Sequence, residues 1–172
     1  FYQVNSVQTE KLYQTAVDFA GLNGDETVVD AYSGIGTMTL ALAEKAKQVY
    51  GVEIVAPAID NAKENAALNQ IENIDFEVAD AGEWLVKKAK EDFKVDVVVV
   101  DPPRKGLSPD FIDAVLKIQP DKIVYVSCNP NTLARDLKLL HAGGYTIEKV
   151  QPVDMFPMTH HIESITLLVK EQ

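Results

Sequence analysis

The sequence predicts an α/β fold of the doubly wound class, built on a mostly parallel sheet of seven strands. Short apolar runs rich in β-branched residues alternate with amphipathic helical segments along nearly the whole chain, which is typical of strand–helix repeats around a parallel sheet. The run 97–100 consists of four valines, as expected for a strand that is covered on both faces. Such a fold binds its ligands at the carboxyl ends of the strands.

Local sequence signals mark the ends of the first and the last predicted helix. Asn5 or Ser6 is placed to cap the first helix, Pro130 favours the start of the last one, and Gly143 with Gly144 ends it. The predicted helices cover residues 7–20, 37–47, 57–68, 82–91, 109–118 and 130–141. The predicted strands cover residues 27–32, 48–54, 74–79, 95–100, 122–127, 146–153 and 164–170.

Length and composition indicate one domain over residues 1–172, with 47% hydrophobic and 24% charged residues. No apolar run approaches the roughly 20 residues that span a bilayer, and no signal peptide is recognised. Cys128 is the only cysteine, so a disulfide within the chain is impossible and a cytoplasmic location is the default. The net charge of −10 argues against strong nucleic-acid binding by this segment alone.

No metal site is predicted. One cysteine cannot form a cysteine cluster, and His141, His160 and His161 lack the spacing of metal ligands on a helix.

A nucleoside site is predicted where the first three strands end. Segment 30–37 passes from strand to helix through Gly34 and Gly36, which let the backbone turn tightly and approach a ligand. By itself this G-x-G is a weak signal. Glu53 ends the next strand, 17 residues after Gly36, where a carboxylate can accept hydrogen bonds from ribose hydroxyls. Asp80 ends the third strand, within reach of an adenine amino group.

The order Asp-x-Tyr-x-Gly-x-Gly, Glu, Asp resembles the class I methyltransferases, whose Rossmann-like fold binds S-adenosylmethionine. The resemblance spans nearly the whole chain. NAD is the competing cofactor, whereas a nucleoside triphosphate is not expected because the loop lacks the Gly-Lys-Ser/Thr of a P-loop.

Two tetrapeptides indicate the reaction class. Asp101-Pro102-Pro103-Arg104 follows the fourth strand and Ser127-Cys128-Asn129-Pro130 follows the fifth. Neighbouring strand ends lie side by side in this fold, so Asp101 and Cys128 are expected to face one pocket. Methylation of uracil at carbon 5 needs a thiolate that adds to carbon 6, and a base that later removes the carbon-5 proton. The predicted helix after Cys128 favours its thiolate, and the nearby Asp101 opposes it.

Taken alone, a single cysteine is most often a small buried residue. The pair Asp-Pro-Pro-Arg and Ser-Cys-Asn-Pro, however, resembles the RNA uracil-5-methyltransferase family, which acts on transfer and ribosomal RNA. Segment 1–5 is similar to the family's Phe-x-Gln-x-Asn, and segment 154–163 is similar to its C-terminal signature, which ends in a catalytic glutamate.

This resemblance implies that Cys128 is the nucleophile, that Glu163 is the base and that Asp101 helps to position one of them. It also implies cofactor contacts, and weaker substrate contacts from Arg104 and His161. The implied cofactor-binding residues are Gln3, Tyr32, Gly34, Gly36, Thr37, Glu53, Asp80 and Asp101.

The resemblance further implies an RNA partner, in which the target uridine is flipped out or lies in a loop. Full-length members carry an upstream RNA-binding domain, and often an iron–sulfur domain, that this chain lacks. The fragment is therefore expected to bind S-adenosylmethionine and to methylate RNA poorly. Segment 30–37 looks most like that of members from Gram-positive bacteria, several of which modify the large-subunit ribosomal RNA, so the resemblance favours 23S rRNA over tRNA as the substrate. No protein partner is implied.

Two other functions remain open from the sequence. An amino-directed nucleic-acid methyltransferase uses a related acidic-Pro-Pro-aromatic motif, but here Arg104 takes the place of the aromatic residue. A non-catalytic module that only binds S-adenosylmethionine is the second alternative. Replacement of Cys128 separates the first of these from uracil methylation, because amine methylation does not need the thiol.

Overall fold

The computed structural model describes residues 5–159 and 161–171, in which seven strands and six helices alternate in the predicted order. The helices are α1 Ser6–Ala20, α2 Thr37–Ala43, α3 Ala56–Leu68, α4 Ala81–Lys90, α5 Pro109–Ile118 and α6 Pro130–Ala142. The strands are β1 Thr27–Ala31, β2 Gln48–Glu53, β3 Ile74–Val78, β4 Val97–Val100, β5 Lys122–Ser127, β6 Tyr145–Val153 and β7 Glu163–Lys170.

All seven strands form one sheet in the order β3-β2-β1-β4-β5-β7-β6. Strands β1 to β5 are parallel, and β7 runs antiparallel between β5 and β6. The order reverses between β1 and β4, which is the switch point where α/β sheets bind ligands. The predicted doubly wound, mostly parallel sheet is thus confirmed.

The core consists of two apolar layers, one on each face of the sheet. In β4, Val97 and Val99 pack with Leu12 of α1 on one face, and Val98 and Val100 pack with Phe111 of α5 on the other. Side chains alternate along a strand, so an uninterrupted apolar run supplies both layers. The four consecutive valines therefore form a strand that is covered on both faces, as the sequence predicts.

Several predicted boundaries differ from those of the structure by one to four residues, and two of these differences have a clear local cause. Helix α2 ends at Ala43, not at residue 47, because the backbone N–H groups of Lys47 and Gln48 donate to the carbonyl of Glu26 and turn the chain into β2. Strand β1 ends at Ala31, because Tyr32 adopts a φ of 68° that leaves the extended conformation. This turn directs the following loop across the carboxyl end of the sheet.

Candidate active site at the carboxyl edge of the sheet

The predicted catalytic residues meet where β4, β5 and β7 lie side by side. Val100 of β4 pairs with Tyr125 of β5, so Asp101 and the segment that holds Cys128 leave the sheet at neighbouring places. The antiparallel β7 begins at Glu163 beside the end of β5, since Ser127 pairs with Ser164. Residues far apart in the chain are thereby collected at one edge.

The charges at this edge act on one another. Burial raises the pKa of Cys128, and the carboxylates of Glu163 and Asp101 raise it further, whereas Arg104 lowers it. Burial also raises the pKa of Glu163, again against a lowering by Arg104. The thiolate-favouring effect expected from the start of α6 is therefore outweighed in this structure.

Asp101 is half-buried and has a pKa raised to about 7, first by burial and then by the charges of Glu163 and Asp30. Asp30, which is buried inside β1, accepts a 2.6 Å hydrogen bond from the hydroxyl of Thr39 and also has a pKa raised to about 7, mainly by burial. Asp101 is thus repelled by two other carboxyl groups along this edge. A cation bound there would relieve that repulsion.

Arg104 is the positive group that faces this cluster from the loop after β4. Its side chain is exposed, and its Nη2 lies 3.3 Å from Nδ1 of His161. The ring of His161 in turn packs edge-on against Phe156, with 6.3 Å between ring centroids. The two residues for which only weak substrate contacts were predicted, Arg104 and His161, are therefore in contact.

The loop that carries Arg104 is tied to α6 through backbone carbonyls. The side chains of Asn129 and Thr132 both donate to the Arg104 carbonyl, at 3.1 and 3.2 Å. Arg135 donates to the carbonyls of Lys105 and Leu107, at 3.0 and 3.2 Å. Because Asn129 follows Cys128 directly, the same contacts join the loop to the nucleophile segment.

A buried carboxylate, Asp136, completes this connection and was not foreseen from the sequence. Its Oδ2 accepts hydrogen bonds from the Leu107 N–H and from the Tyr125 hydroxyl, both at 2.8 Å. Its Oδ1 faces the Arg135 guanidinium at 2.7 Å. Adjacent residues of a helix do not face each other, so the sequence carried no signal that Arg135 pairs with Asp136 or that this aspartate is buried.

The predicted nucleoside cleft lies at the ends of β1 and β2. The two carboxylate oxygens of Glu53 accept hydrogen bonds from the backbone N–H groups of Gly34 and Val55, each at 3.0 Å. Each oxygen keeps a further lone pair for a ligand hydroxyl. A Cβ built on Gly34 would meet no atom within 4 Å, so the loop has open space there. These features suit a nucleoside with a ribose diol.

Other predicted cofactor residues have structural contacts of their own. Gly36 has a φ of 85° and packs closely, since a Cβ there would lie 3.0 Å from Ala62. Asp80 is the N-cap of α4, where its Oδ1 accepts from the N–H groups of Gly82 and Glu83.

Thr37 is exposed at the start of α2. Tyr32 lies half-buried in the loop after β1, 5.9 Å from the Phe111 ring. Gln3 and His160 lie outside the described residues.

The sequence profile of the tRNA (uracil-5-)-methyltransferase family matches residues 1–171. The chain belongs to this family. The match confirms the family that the motifs predicted, and it includes the segments around Asp101, Cys128 and Glu163.

Individual relatives agree with this membership. A Listeria monocytogenes serotype 4b protein named as an uncharacterized RNA methyltransferase is 58% identical over 168 residues, which are 98% of this chain and 37% of the relative. A Streptococcus mutans protein of the same name is 55% identical over 170 residues, 99% of this chain and 38% of the relative. The chain therefore spans less than two fifths of the length of the relatives it matches.

A solved structure shares the fold closely. The Pyrococcus abyssi tRNA (uracil-54, C5)-methyltransferase in complex with S-adenosyl-L-homocysteine superposes with a TM-score of 0.83 at 37% identity, over 98% of this chain and 40% of that one. An rRNA methylase from Streptococcus thermophilus, at 18% identity and a TM-score of 0.72, shares the fold alone. The predicted Rossmann-like methyltransferase architecture is confirmed. None of the helices at 5–159 and 161–171 is long and apolar enough to cross a membrane.

Proposed function

We propose that this chain is the catalytic domain of an RNA uracil-5-methyltransferase, which transfers a methyl group from S-adenosylmethionine to carbon 5 of a uridine through a covalent adduct with Cys128. The observation that carries the proposal is the meeting of a cysteine and two carboxyl groups at one sheet edge. Asp101 follows β4, Cys128 follows β5 and Glu163 begins β7, and the three groups interact electrostatically at this edge.

Cys128 supplies the nucleophile in this proposal. Its thiolate sulfur bonds to carbon 6 of the uracil, and the electrons of the carbon 5–carbon 6 double bond move to the carbonyl oxygen at carbon 4 as an enolate. When the enolate returns these electrons, carbon 5 forms its bond to the methyl group, and the bond from that methyl group to the sulfonium sulfur breaks, which leaves S-adenosylhomocysteine. The thiol is half-buried and has a raised pKa, so the adjacent Arg104 is the group that favours the thiolate.

Glu163 supplies the base. It takes the proton from carbon 5, the electrons of that bond restore the double bond to carbon 6, and the bond between carbon 6 and sulfur breaks to release the thiolate. A buried carboxylate with a raised pKa is a stronger base than one in water. Glu163 is 5% exposed and its pKa is raised by burial, which fits this role.

The cleft fits S-adenosylmethionine, which supplies an electrophilic methyl group when bound. Glu53 accepts hydrogen bonds from the ribose hydroxyls with the lone pairs that Gly34 and Val55 leave free. Asp80 reaches the adenine amino group, and the backbone at Gly34 lies against the ligand. Asp101 and Asp30 attract the positive charges of the ligand, which offset the repulsion between these two carboxyl groups. Tyr32, Gly36, Thr37 and Gln3 complete the proposed contacts.

RNA is the proposed substrate, with 23S rRNA favoured over tRNA. Most of the RNA affinity is assigned to the part of the full-length protein outside this chain, because the net charge of this chain is −10. The Pyrococcus abyssi neighbour is named for a tRNA uracil, so both RNA classes belong in the test.

The experiment uses the full-length protein, S-adenosylmethionine, and 23S rRNA fragments or tRNA in which 5-fluorouridine replaces uridine. Fluorine at carbon 5 cannot leave as a proton, so the reaction stops as a covalent protein–RNA adduct that survives denaturing electrophoresis. We expect an adduct with one RNA class, and none with Cys128→Ala.

Binding of S-adenosylhomocysteine by Cys128→Ala is the control for folding. Methylation of unmodified RNA that persists in Cys128→Ala would refute the covalent route and favour an amino-directed methyltransferase. The absence of both adduct and methylation in the wild-type protein, together with intact binding of S-adenosylhomocysteine, would favour a non-catalytic module.

A further inference from the structure

The turn at residues 156–159 displays a methionine in an unusual backbone conformation. The N–H of Thr159 donates to the carbonyl of Phe156 at 3.1 Å, and Pro157 and Met158 occupy the two central positions. Met158 has a φ of 69°. Proline followed by a residue with positive φ is the pattern of a type II turn, whose third position usually takes glycine or asparagine.

Packing within the described chain does not explain a methionine at position 158. A positive φ costs a residue with a Cβ free energy that glycine avoids. The side chain is fully exposed, so it buries no apolar surface. Backbone strain of this kind clusters at functional sites, which makes Met158 a candidate for contact with a binding partner.

The turn itself is held firmly. The Thr159 hydroxyl donates to the Phe156 carbonyl at 2.7 Å and accepts the N–H of His161 at 3.2 Å. Two side-chain hydrogen bonds therefore support the backbone hydrogen bond that closes the turn. Met158 is consequently presented at a defined place, rather than on a loop that must be ordered when a partner binds.

That place is the rim of the proposed active site. The Phe156 ring packs against His161, and Nδ1 of His161 lies 3.3 Å from the Arg104 guanidinium. Met158 precedes His161 by three residues, which limits their separation to about 11 Å. The turn that presents Met158 is thus connected through Phe156 and His161 to the cation that acts on Cys128.

We propose that Met158 is an apolar wedge that contacts the RNA base next to the target uridine when that uridine is flipped into the site. This inference rests on the proposed function. A uridine that leaves its stack exposes the faces of its neighbours, and methionine is one of the apolar side chains that proteins insert between bases. Its flexible, polarisable thioether fits bases of different shape. The partner is RNA rather than protein, because the turn is linked through Phe156 and His161 to Arg104, which acts electrostatically on the proposed nucleophile Cys128.

The test compares variants of the full-length protein on an RNA that the wild-type protein methylates. Met158→Ala removes the wedge, Met158→Gly also relieves the positive φ, and Met158→Leu keeps an apolar side chain of similar volume. Leu68→Ala is the matched control, since Leu68 is also an exposed apolar residue and lies at the end of α3. The readouts are kcat and KM for RNA, the Kd of S-adenosylhomocysteine, Tm, and the fluorescence of 2-aminopurine placed beside the target uridine.

We expect Met158→Ala and Met158→Gly to raise KM for RNA about tenfold or more, the loss expected for one base-stacking contact. The 2-aminopurine signal that accompanies binding should change in the same variants. Met158→Leu and Leu68→Ala should resemble the wild-type protein, and the Kd of S-adenosylhomocysteine should not move in any variant. Tm should stay unchanged in Met158→Ala and should rise slightly in Met158→Gly, because glycine relieves the positive φ.

An unchanged KM in Met158→Ala, while the wild-type protein methylates its RNA, would overturn the wedge and leave the proposed function intact. A fall in Tm in Met158→Ala would also overturn it, because Met158 would then pack against another part of the protein. A wild-type protein that forms no RNA adduct and methylates no RNA would instead refute the proposed function, and the wedge with it.

Discussion

The hydroxyl of Tyr125 donates a 2.8 Å hydrogen bond to Oδ2 of Asp136, a carboxylate without exposed surface. The same oxygen accepts the N–H of Leu107, and the Arg135 guanidinium neutralises the charge from the other side. One buried aspartate therefore joins β5, α6 and the loop that carries Arg104. Buried charges are stable only when they are paired and hydrogen-bonded in this way.

We expect Tyr125→Phe to lower both stability and catalysis. It removes a hydrogen bond to a buried carboxylate, so the free energy of unfolding should fall by about 1–3 kcal/mol. The loop with Arg104 should also lose its fixed position, and the single-turnover rate of methylation should fall several-fold. Urea denaturation and rapid-quench methylation measure the two effects.

Tyr145→Phe is the matched control. Tyr145 is equally buried and donates a 2.7 Å hydrogen bond to the carbonyl of Pro120, at the opposite end of β5 from Cys128. Its loss should reduce stability by about 1 kcal/mol and leave the methylation rate unchanged. Equal losses of rate in both variants would show that the Asp136 contacts act through general stability alone.

Gly106→Ala should be much more harmful than Gly24→Ala. Both glycines have positive φ, at 76° and 102°, so both substitutions strain the backbone by about 1 kcal/mol. A Cβ on Gly106 would in addition lie 2.5 Å from Oδ2 of Asp136 and 2.7 Å from Nη2 of Arg135, whereas one on Gly24 meets nothing within 4 Å. Thermal unfolding should show a difference of at least about 1 kcal/mol, and similar Tm values would contradict the buried arrangement.

Arg104→Gln should move the titration of Cys128 to higher pH. The guanidinium lowers the pKa of the thiol, so its removal destabilises the thiolate, and Arg104→Lys should retain most of the effect. The pH dependence of iodoacetamide alkylation reports this directly, because Cys128 is the only cysteine of the chain. An alkylation profile that is identical in wild type and Arg104→Gln would show that the guanidinium does not act on the thiol.

Asp101→Asn should remove part of the pH dependence of stability. The pKa of Asp101 is raised from 3.8 to about 7 in the folded state, so the fold favours the protonated carboxyl. Its contribution to stability is complete below about pH 4 and is lost as the pH rises through about 7. Relative to Asp101→Asn, the wild-type protein should lose about 1–3 kcal/mol in this window, after allowance for solvent screening. Urea denaturation at several pH values tests this, and a constant difference between the two proteins would contradict it.

Glu53→Gln should weaken S-adenosylhomocysteine binding about tenfold or more. The amide keeps the shape of the side chain, but it loses the charge and one acceptor that the ribose hydroxyls need. Glu72→Gln, an exposed change before β3, is the control and should bind like the wild type. Calorimetric titration of both variants measures the effect. Unchanged affinity in Glu53→Gln would place the ribose elsewhere.

The sequence predicted the order of elements and the edge at which the site lies. Apolar periodicity is a local property, so β4 and its buried valines were recognisable without tertiary contacts. The motifs around Asp101 and Cys128 follow neighbouring strands, and parallel order alone brings such strand ends together. The predicted end of α2 was wrong because Lys47 and Gln48 donate their backbone N–H groups to the carbonyl of Glu26, a residue outside the helix.

The sequence by itself thus determined the sheet, the family and the candidate nucleophile, all of which depend on local patterns and on chain order. The tertiary structure alone decided that Glu163 lies beside the end of β5. This position follows because β7, which begins at Glu163, runs antiparallel to β5. The tertiary structure also decided that Asp136 is buried and that Met158 stands exposed with a positive φ. Burial and the net direction of a pKa depend on groups brought together from distant parts of the chain, and no local pattern encodes their distances.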